Sequence, residues 1–404
     1  MKPLAELRQV AAADVYKAGR LAAQLRRAER GVEFSYVADY LSEPGLPVAT
    51  TLPVGPNVVH TPAGALPPYF SGLLPEGRRL SALRRAVKTS ADDELTMLLA
   101  VGGDLVGDVQ VVPAGEPLAE VHARVAVGAF EDVVFSELFA RDTEGAIDRH
   151  GIAGVQDKVS ARMISLPVAR QGEKFILKLD PPEFPHLVEN EAAMLAAARL
   201  SKLPAVSADI VTDSEGHKGL LVKRFDRVDG QRLAVEDGCQ VMGRYPADKY
   251  NVTTERVCGA LAAVCDAPVV AARELLRWVA FAYLTCNGDL HAKNLAVYQP
   301  VPGEWRVSPL YDLPSSYPYG DHTLALPINA KDRENIALDD FVALGARLGL
   351  RERAVVRATS ELCDCVDGWL PLLRELPMDP YLRRKWERAV EYRRDRLRGE
   401  QSRP

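Results

Sequence analysis

The sequence predicts an α+β protein whose amino-terminal half is rich in strands and whose carboxy-terminal half is mainly helical. Short apolar segments with strand-like patterns alternate with turns as far as residue 225, whereas 254–265 and 269–284 show the longer period of buried helices. The chain has 404 residues, 47% hydrophobic and 26% charged, with a net charge of −5. These values are typical of soluble globular proteins with two or three domains. They argue against wholesale disorder and against a surface that binds nucleic acid throughout.

The predicted elements fall into two groups before the long helices. Residues 1–120 contain, in order, a strand at 32–40, a Pro/Gly-rich passage at 44–68, a helix at 81–100, a strand at 106–112 and a boundary at 113–117. From residue 151 the pattern changes to a strand–loop–strand unit. Its segments are strands at 158–166 and 174–179, a helix at 189–200, and strands at 208–211 and 220–225.

The end of the chain carries a local excess of positive charge. Residues 381–404 hold nine Lys/Arg against four Asp/Glu, which is a net charge of +5. The favoured interpretation is an amphipathic helix whose arginine stems cover apolar surface; contact with nucleic acid or an acidic partner is the alternative. The six cysteines form no CxxC pair, and no signal peptide or apolar membrane span is apparent. We therefore expect a cytoplasmic protein with reduced thiols and no membrane contact.

The most informative stretch is 286–294, which reads Cys-Asn-Gly-Asp-Leu-His-Ala-Lys-Asn and follows an apolar helix. Asp289 followed five positions later by Asn294 is the spacing of a kinase catalytic loop, where the aspartate accepts the proton of the attacking hydroxyl and the asparagine binds a metal. After a strand at 306–310, Asp312 is placed to be the second metal ligand. These two ligands suffice for Mg²⁺, which also binds phosphate oxygens. Alone, D-x-x-x-x-N also fits an ordinary turn, but the order of the flanking elements favours phosphoryl transfer.

Lys178 and Glu191 are candidates for the remaining charged parts of a nucleotide site. Lys178 lies in the apolar strand 175–179, where a charged side chain needs a partner or a ligand. A kinase uses such a lysine to hold nucleotide phosphates and a helix glutamate to orient it, and Glu191 lies on the next helix. Two simpler interpretations stay open. The lysine could be exposed on an edge strand, and Glu189 and Glu191 could be favourable charges at a helix N-terminus.

A glycine-containing turn at 151–158 precedes this unit. It matches neither G-x-G-x-x-G nor Walker A, but its backbone N–H groups and Lys158 could contact phosphate oxygens; a plain hairpin turn is the alternative. His291 has no second histidine three or four positions away, which favours a loop-stabilising hydrogen bond over a metal site. Hydrolase chemistry is a poor fit because the candidate serines lack G-x-S-x-G context: Ser35, Ser71 and Ser160.

In this order along nearly the whole chain, the motifs resemble the HipA family of bacterial serine/threonine kinases, the toxins of HipA/HipB toxin–antitoxin pairs. The stretches that carry the resemblance are Phe70-Ser71-Gly72-Leu73-Leu74-Pro75-Glu76-Gly77, Ala153-Gly154-Val155-Gln156-Asp157-Lys158, Phe175-Ile176-Leu177-Lys178, Val188-Glu189-Asn190-Glu191, Val222-Lys223-Arg224-Phe225-Asp226-Arg227, Asn287-Gly288-Asp289 to Asn294, and Pro309-Leu310-Tyr311-Asp312.

The resemblance implies a two-lobed, protein-kinase-like α+β fold and dependence on ATP and Mg²⁺. The implied domains are an added subdomain at 1–120, a nucleotide-binding lobe at 121–230 and a helical lobe at 231–404 that contains the catalytic loop and the basic terminal helix. Asp289 would be the catalytic base, while Asn294 and Asp312 would bind Mg²⁺. The implied nucleotide contacts are Ala153, Gly154, Val155, Gln156, Asp157, Lys158, Lys178, Glu191, Lys223, Arg224, Phe225, His291, Lys293, Asn294, Tyr311 and Asp312.

The resemblance also implies partners. Well-known members phosphorylate a serine of glutamyl-tRNA synthetase, which halts translation, and join a small helix-turn-helix antitoxin on operator DNA. We therefore expect a HipB-like antitoxin, a protein substrate such as an aminoacyl-tRNA synthetase, and DNA contact only through that complex, aided at most by the basic terminal helix.

One departure from the family concerns regulation. Gly151 and Ile152 stand where the family's autophosphorylated serine lies, so silencing at that position is not expected, and a partner or another hydroxyl such as Ser160 would have to serve. Two alternative functions stay open. One is a small-molecule phosphotransferase of the aminoglycoside or choline kinase type, whose catalytic loop is similar to 288–294. The other is a catalytically idle kinase fold that acts as a co-repressor.

Overall fold

A computed structural model describes residues 4–118, 125–126, 128–137, 164–170, 173–333 and 335–399. The chain begins with a five-stranded antiparallel sheet in the order β4-β3-β2-β1-β5. Its strands are β1 (Ala12–Lys17), β2 (Arg20–Ala28), β3 (Gly31–Tyr36), β4 (Val59–Pro62) and β5 (Val109–Pro113). Burial alternates residue by residue along β3, whereas β1 and β5 each contain three consecutive buried residues, and side chains such as Leu25 and Phe34 are almost fully buried.

Four short helices belong to this region: α1 (Ala38–Ser42), α2 (Pro68–Gly72), α3 (Gly77–Val87) and α4 (Glu94–Val101). Helices α1, α2 and α4 contribute to the core of the sheet, while α3 packs against α4 and the 3₁₀ helix Leu4–Gln9. The single helix predicted at 81–100 is wrong, because Lys88 adopts a left-handed conformation with a φ of 53° and ends α3. Asp93 then starts α4 by accepting a hydrogen bond from the backbone N–H of Thr96 and pairing with Arg27. The strand predicted at 32–40 ends earlier than expected, at Tyr36, because helix α1 begins at Ala38.

A second sheet has the order β6-β7-β8-β10-β9, antiparallel except for the parallel pair β6 and β7. Its strands are β6 (Val125–Ala126), β7 (Ile164–Arg170), β8 (Glu173–Leu179), β9 (Ala208–Thr212) and β10 (Lys218–Lys223). Helix α5 (Leu187–Leu200) packs on this sheet. Lys178 lies in the central strand, where it pairs with Ser165 on one side and Leu220 on the other. An edge-strand position for Lys178 is therefore excluded.

The rest of the chain is mainly helical around two small sheets. The strands are β11 (Arg227–Val228), β12 (Gln231–Arg232), β13 (Val235–Asp237), β14 (Ala296–Val301) and β15 (Glu304–Val307). The helices are α6 (Gly238–Val241), α7 (Thr254–Val264), α8 (Pro268–Leu284), α9 (Leu338–Arg347), α10 (Glu352–Trp369), α11 (Pro371–Glu375) and α12 (Pro380–Arg398). Helix α8 is buried on nearly all sides in its second half, which explains its continuous apolar sequence.

The terminal helix α12 is amphipathic, as the favoured interpretation of the basic tail predicts. Trp386, Val390 and Leu397 face the core. Arg393 is also buried, and its guanidinium donates hydrogen bonds to the backbone oxygens of Tyr283 (2.8 Å) and His322 (2.9 Å). This arginine thus satisfies a carbonyl at the end of α8. Among the described residues, none of the helices combines the length and apolarity that a bilayer crossing requires.

A buried network of charges joins the first sheet region to the rest of the chain. Arg224 pairs with Asp226 (Nη2–Oδ2 2.8 Å) and with Asp104 (Nη1–Oδ1 3.2 Å). Asp226 also accepts hydrogen bonds from the backbone N–H of Gly107 (2.9 Å) and from Arg227 (2.7 Å). Because these groups are nearly all buried, the contact holds only if every charge keeps its partner.

Candidate active site

Lys178, Glu191 and Asp312, here called the lysine triad, meet through the ammonium group of Lys178. Its Nζ lies 2.7 and 2.9 Å from the two carboxylate oxygens of Glu191 and 2.8 Å from Oδ1 of Asp312. Burial alone would lower the pKa of Lys178, but the charges of Asp312 and Glu191 outweigh it and raise that pKa above its ordinary value. The lysine is therefore a fixed cation between two carboxylates.

Helix α5 brings Glu191 to this position through its own start and through Asn190. Asp180 accepts hydrogen bonds from the backbone N–H groups of His186 (2.8 Å) and Val188 (2.7 Å), which fixes the first turn of the helix. Asn190 is fully buried and exchanges two 2.9 Å hydrogen bonds with the backbone of Ser315, just beyond Asp312. Asn190 thus joins the helix that carries Glu191 to the segment that carries Asp312.

The segment with Asp312 is fixed on both sides. Leu310 exchanges backbone hydrogen bonds with the 204–206 segment that leads into β9 (2.8 and 2.9 Å). Tyr311 donates a hydrogen bond from its hydroxyl to the backbone oxygen of Lys293 (2.7 Å), and its ring stacks on Phe225 with 5.7 Å between centroids. Asp312 itself has a φ of 56°, a conformation that costs a non-glycine residue energy and that often occurs at functional sites. The segment therefore links the second sheet to the loop 286–294.

The loop 286–294 turns sharply where α8 ends. Cys286 has a φ of 57°, and Gly288 lies so close to Ser316 and Thr323 that a Cβ atom would collide with them. Inside the loop, Asp289 donates its backbone N–H to Oδ1 of Asn287 (2.7 Å), and Asn294 donates its side-chain N–H to the backbone oxygen of Asp289 (2.9 Å). Contacts from outside the motif also hold the turn: the N–H of Gly288 donates to Oγ of Ser316 (2.9 Å), and the hydroxyl of Ser315 donates to the backbone oxygen of Cys286 (3.1 Å).

Tyr250 reaches the carboxylate of Asp289 from outside the loop. Its hydroxyl donates a 2.7 Å hydrogen bond to Oδ1 of Asp289, and its ring packs edge-on against His291 with 5.0 Å between centroids. Burial and the negative charge of Asp289 raise the pKa of Tyr250 above its ordinary value, so the phenol stays protonated and remains a donor. One oxygen of the candidate base is thus held by a neutral hydroxyl.

Glu76, Asp237, Lys249 and Lys293, here called the loop anchor, form a second cluster of charges beside the loop. Lys293 lies 2.7 Å from Oδ2 of Asp237, 3.7 Å from Oε1 of Glu76 and 2.8 Å from the backbone oxygen of Gly72. Lys249 forms a short ion pair with Oε2 of Glu76. Burial would raise the pKa of Glu76, but the charges of Lys293 and Lys249 lower it below its ordinary value. The cluster is charge-balanced, with two cations and two carboxylates.

His291 is buried between these groups. Burial, followed by the positive charge of Lys249, lowers its pKa to about 3. The imidazole is therefore neutral at physiological pH. Among the described residues its Nδ1 atom has no hydrogen-bond partner. The loop-stabilising hydrogen bond expected for the ring is not present in the described part of the chain.

The donor set fits a magnesium ion. Asn294 uses its amide N–H groups within the loop, and among the described residues no hydrogen bond to its amide oxygen is present. Asp312 offers a carboxylate of which one oxygen contacts Lys178. An amide oxygen and a carboxylate are hard oxygen ligands of the kind that Mg²⁺ prefers when phosphate and water complete its shell.

The other predicted site residues are distributed unevenly. Ala153, Gly154, Val155, Gln156, Asp157 and Lys158 lie outside the described residues, as do Gly151 and Ser160. Lys223 is exposed and pairs with Glu173, while the side chain of Arg224 belongs to the buried network with Asp104 and Asp226. Phe225, in contrast, stacks on Tyr311 next to Asp312.

Sequence reasoning missed Tyr250, Lys249, Asp237 and the role of Glu76. Tyr250 and Lys249 stand in no recognisable motif, and their contacts cross 39 and 173 positions of chain. A signal existed for Glu76, because it lies in the stretch 70–77 that carries part of the family resemblance. A signal also existed for Asp237, which is followed three positions later by Gln240 and forms a capping box with it.

Comparison with known proteins matches both halves of the chain to one family. The family model of the HipA-like C-terminal domain matches residues 150–370, and that of the HipA N-terminal domain matches residues 13–112. Y4dM of Sinorhizobium fredii, named as a kinase, is 31% identical over 338 residues, which are 78% of this chain and 78% of that protein. The serine/threonine-protein kinase toxin HipA of Shewanella oneidensis is 26% identical over 351 residues, 80% of this chain and 79% of that protein.

A solved structure shows the same fold. It contains HipA, HipB and operator DNA of Shewanella oneidensis, and its matching chain superposes with a TM-score of 0.78 at 22% identity, covering 96% of this chain and 98% of that chain. The predicted two-lobed, kinase-like α+β fold is therefore confirmed. The two family models and the relatives show that this chain belongs to the HipA family, whose members are named as kinases.

Proposed function

We propose that this protein is an ATP- and Mg²⁺-dependent serine/threonine kinase of the HipA toxin type. It transfers the γ-phosphate to a hydroxyl of a protein, with Asp289 as the base. The observation that carries the proposal is the lysine triad, because protein kinases use a strand lysine paired with a helix glutamate together with an aspartate that follows the catalytic loop.

Lys178 supplies positive charge for the nucleotide phosphates. Its three ammonium N–H groups are all engaged, two with Glu191 and one with Asp312. Glu191 is fully buried and keeps the ammonium in place, whereas Asp312 is the more exposed partner at 26% side-chain exposure. Binding of the phosphates therefore exchanges the contact with Asp312 and retains the one with Glu191.

Asp289 accepts the proton of the attacking hydroxyl. Tyr250 and the internal hydrogen bonds of the loop orient its carboxylate before substrate arrives, which removes part of the entropic cost of the reaction. Asn294 and Asp312 would hold Mg²⁺, which neutralises phosphate charge when it is bound. His291, which is neutral, and the stacked side chains of Phe225 and Tyr311 are the further contacts proposed for the nucleotide.

The substrate and partners follow from the family. We propose a HipB-like helix-turn-helix antitoxin as partner, in line with the HipA–HipB–operator DNA complex of the Shewanella relative. The proposed substrate is a protein hydroxyl, with an aminoacyl-tRNA synthetase as the leading candidate, so that transfer arrests translation and growth in the cytoplasm. Contact with operator DNA then occurs through the antitoxin, and exposed Arg384, Lys385 and Arg388 on α12 are the residues that could add to it.

The alternative of a small-molecule phosphotransferase shares the same base and is distinguished by its acceptor. Incubation with radiolabelled ATP, Mg²⁺ and host lysate is expected to label a protein band. Label in an aminoglycoside or choline and in no protein would contradict the proposal.

The decisive variant is Asp289→Asn, which keeps the size of the side chain and its contact with Tyr250 but removes the base. We expect phosphate transfer to fall by about 10²- to 10⁴-fold and growth arrest to disappear, while ATP binding measured by calorimetry stays within about twofold. Unchanged growth arrest in this variant would contradict the kinase-toxin function and favour the idle co-repressor.

A further inference from the structure

Glu76 occupies the N-cap position of α3 but does not cap that helix. Its backbone is extended, with φ −113° and ψ 172°, and its side chain accepts no hydrogen bond from the first turn. The carboxylate instead points away to the lysines of the loop anchor, where it is about one-third exposed. Glutamate is not among the favoured N-cap residues, and the carboxylate of Glu76 is engaged in charge-assisted contacts instead.

The segment that carries Glu76 is itself fixed against the helical part of the chain. Gln240 donates a 2.9 Å hydrogen bond to the backbone oxygen of Tyr69, and Gly72 lies so close to the Gln240 side chain that a Cβ atom would collide with it. The backbone oxygen of Gly72 accepts a hydrogen bond from Lys293. Residues 69–76 of the amino-terminal region therefore contact α6 through Gln240 and the catalytic loop through Lys293.

Both lysines that Glu76 binds are connected to the catalytic loop by short paths. Lys293 is part of the loop, between Asp289 and Asn294. The backbone oxygen of Lys249 accepts a hydrogen bond from the N–H of Ala292 (3.1 Å), and the next residue, Tyr250, donates its hydroxyl to Asp289. A shift of Lys249 therefore moves both the loop backbone and the phenol that holds the candidate base.

An inhibitory role for Glu76, in which it blocks an anion site made of the two lysines, fits these contacts less well. Lys293 keeps Asp237 and the oxygen of Gly72 as partners even without Glu76, and Lys249 is only 13% exposed at its side chain. Removal of Glu76 therefore opens little cationic surface for a ligand. It leaves Lys249 without its carboxylate and with freedom to move.

On these grounds, and resting on the proposed function, we propose that Glu76 is a positioning residue that acts through Lys249 and Tyr250 to hold Asp289 in its productive orientation. The amino-terminal region thus supplies a side chain that the catalytic loop needs. Glu76 itself touches neither nucleotide nor acceptor in this role.

The test compares full-length protein with the variants Glu76→Gln, Lys249→Met and the double variant. Glu361→Gln is the matched control, because Glu361 also bridges two cations, Arg273 and Arg357, but lies on α10 far along the chain from the loop. Two quantities are measured: kcat and KM for ATP in phosphate transfer, and hydrogen exchange of the amides of residues 287–294 in protein without nucleotide.

We expect each single variant to lower kcat by about 10-fold, with KM for ATP within about twofold, and to speed loop exchange by about 10-fold. The double variant should be no worse than either single variant, because both remove the same contact. Glu361→Gln should match the wild type in both measurements.

Loop exchange equal to that of the wild type in Glu76→Gln and Lys249→Met, or a higher kcat, would overturn the positioning role. If the wild-type protein transfers no phosphate at all, the proposed function fails instead, and the exchange measurement still decides whether Glu76 holds the loop. A global loss of folding would lower the thermal unfolding temperature of the same samples and would speed amide hydrogen exchange throughout the chain. The proposal requires faster exchange that is confined to residues 287–294.

Discussion

The lysine triad and the loop anchor are both made of lysines and carboxylates, yet they are assembled in different ways. The lysine triad combines residues of three motifs that the sequence displays, and two of its members are only 13 positions apart. The loop anchor joins Glu76 to Lys249 across 173 positions, and Lys293 to Gly72 across 221. The groups that carry chemistry are recognisable by type and spacing, whereas Tyr250 and Lys249, which contact the loop and its anchor, are recognisable only after folding.

The two glutamates differ in burial, although Lys178, Lys249, Lys293 and Asp237 are all 11% to 13% exposed at their side chains. Glu191 has no exposed side-chain surface, and the side chain of Lys178 is 11% exposed, whereas that of Glu76 is 35% exposed. A charge that loses its partner in a dry environment costs far more than one that can reach water. Removing the partner of Glu191 should therefore be more damaging than removing a partner of Glu76.

The largest effect is expected for Lys178→Met, which removes the cation of the lysine triad. Phosphate transfer should fall by about 10²- to 10³-fold, and the free energy of unfolding by about 3 kcal/mol, because Glu191 is left buried without a counter-charge. Initial rates and urea unfolding measure the two quantities. The control is Lys218→Met, since Lys218 pairs with Glu189 of the same helix at 3.2 Å but is half exposed. Equal stability losses in both variants would contradict the comparison.

A stability effect of similar origin is expected at the network that joins the first sheet region to the rest. Asp226→Asn keeps the shape of the side chain but leaves Arg224 and Arg227 with less negative charge around them. The free energy of unfolding should fall by about 3 kcal/mol in urea titrations. Asp229→Asn is the control, because Asp229 is exposed in a turn with a φ of 50° that asparagine tolerates. A loss below about 1 kcal/mol for Asp226→Asn would show that the network is not needed for stability.

A smaller, pH-dependent effect is expected for Glu236, which binds Thr50 at the same junction. Burial raises its pKa from 4.5 to about 7, although hydrogen bonds from Thr50 oppose this. Because the folded state binds the proton more tightly than the unfolded chain, this contribution to stability is present below about pH 4.5 and is lost as the pH rises through 7.

In Glu236→Gln the group cannot ionise, so the variant should gain up to about 3 kcal/mol relative to the wild type between pH 5 and pH 8. Unfolding curves measured at several pH values test this, and Glu173→Gln, at an exposed ion pair, is the control. Parallel pH profiles of the wild type and Glu236→Gln would contradict a raised pKa at this position.

The fold was predictable in its class and in elements such as β8, α5, α7 and α8, whereas β1, β2 and β4 were not predicted. The errors within the predicted segments have local causes. Segments with a clear apolar period, such as those that became α7 and α8, were predicted within a residue or two. The helix predicted at 81–100 failed because left-handed Lys88 and the cap at Asp93 interrupt a pattern that is apolar on both sides. The spacing of apolar residues indicates which positions are buried, but it does not indicate where the backbone leaves the helical conformation.

The candidate site was predictable where one motif contains the whole contact. The pairing of Lys178 with Glu191 and the turn of the loop 286–294 follow from residues close together in the chain. The roles of Arg224 and Tyr250 were not predictable, because their partners are far away in the sequence. Asp104 precedes Arg224 by 120 positions (224 − 104), and Asp289 follows Tyr250 by 39.

By itself the sequence determined the family, the α+β class and the residue types of a phosphoryl-transfer site, because these depend on composition, periodicity and short spacings. Only the tertiary structure decided that the ammonium of Lys178 lies between Glu191 and Asp312, and that Glu76 of the amino-terminal region reaches the lysines beside Asp289. The physical reason is that a charge in a buried place must find its partner within about 3 Å, and that partner can come from any part of a folded chain.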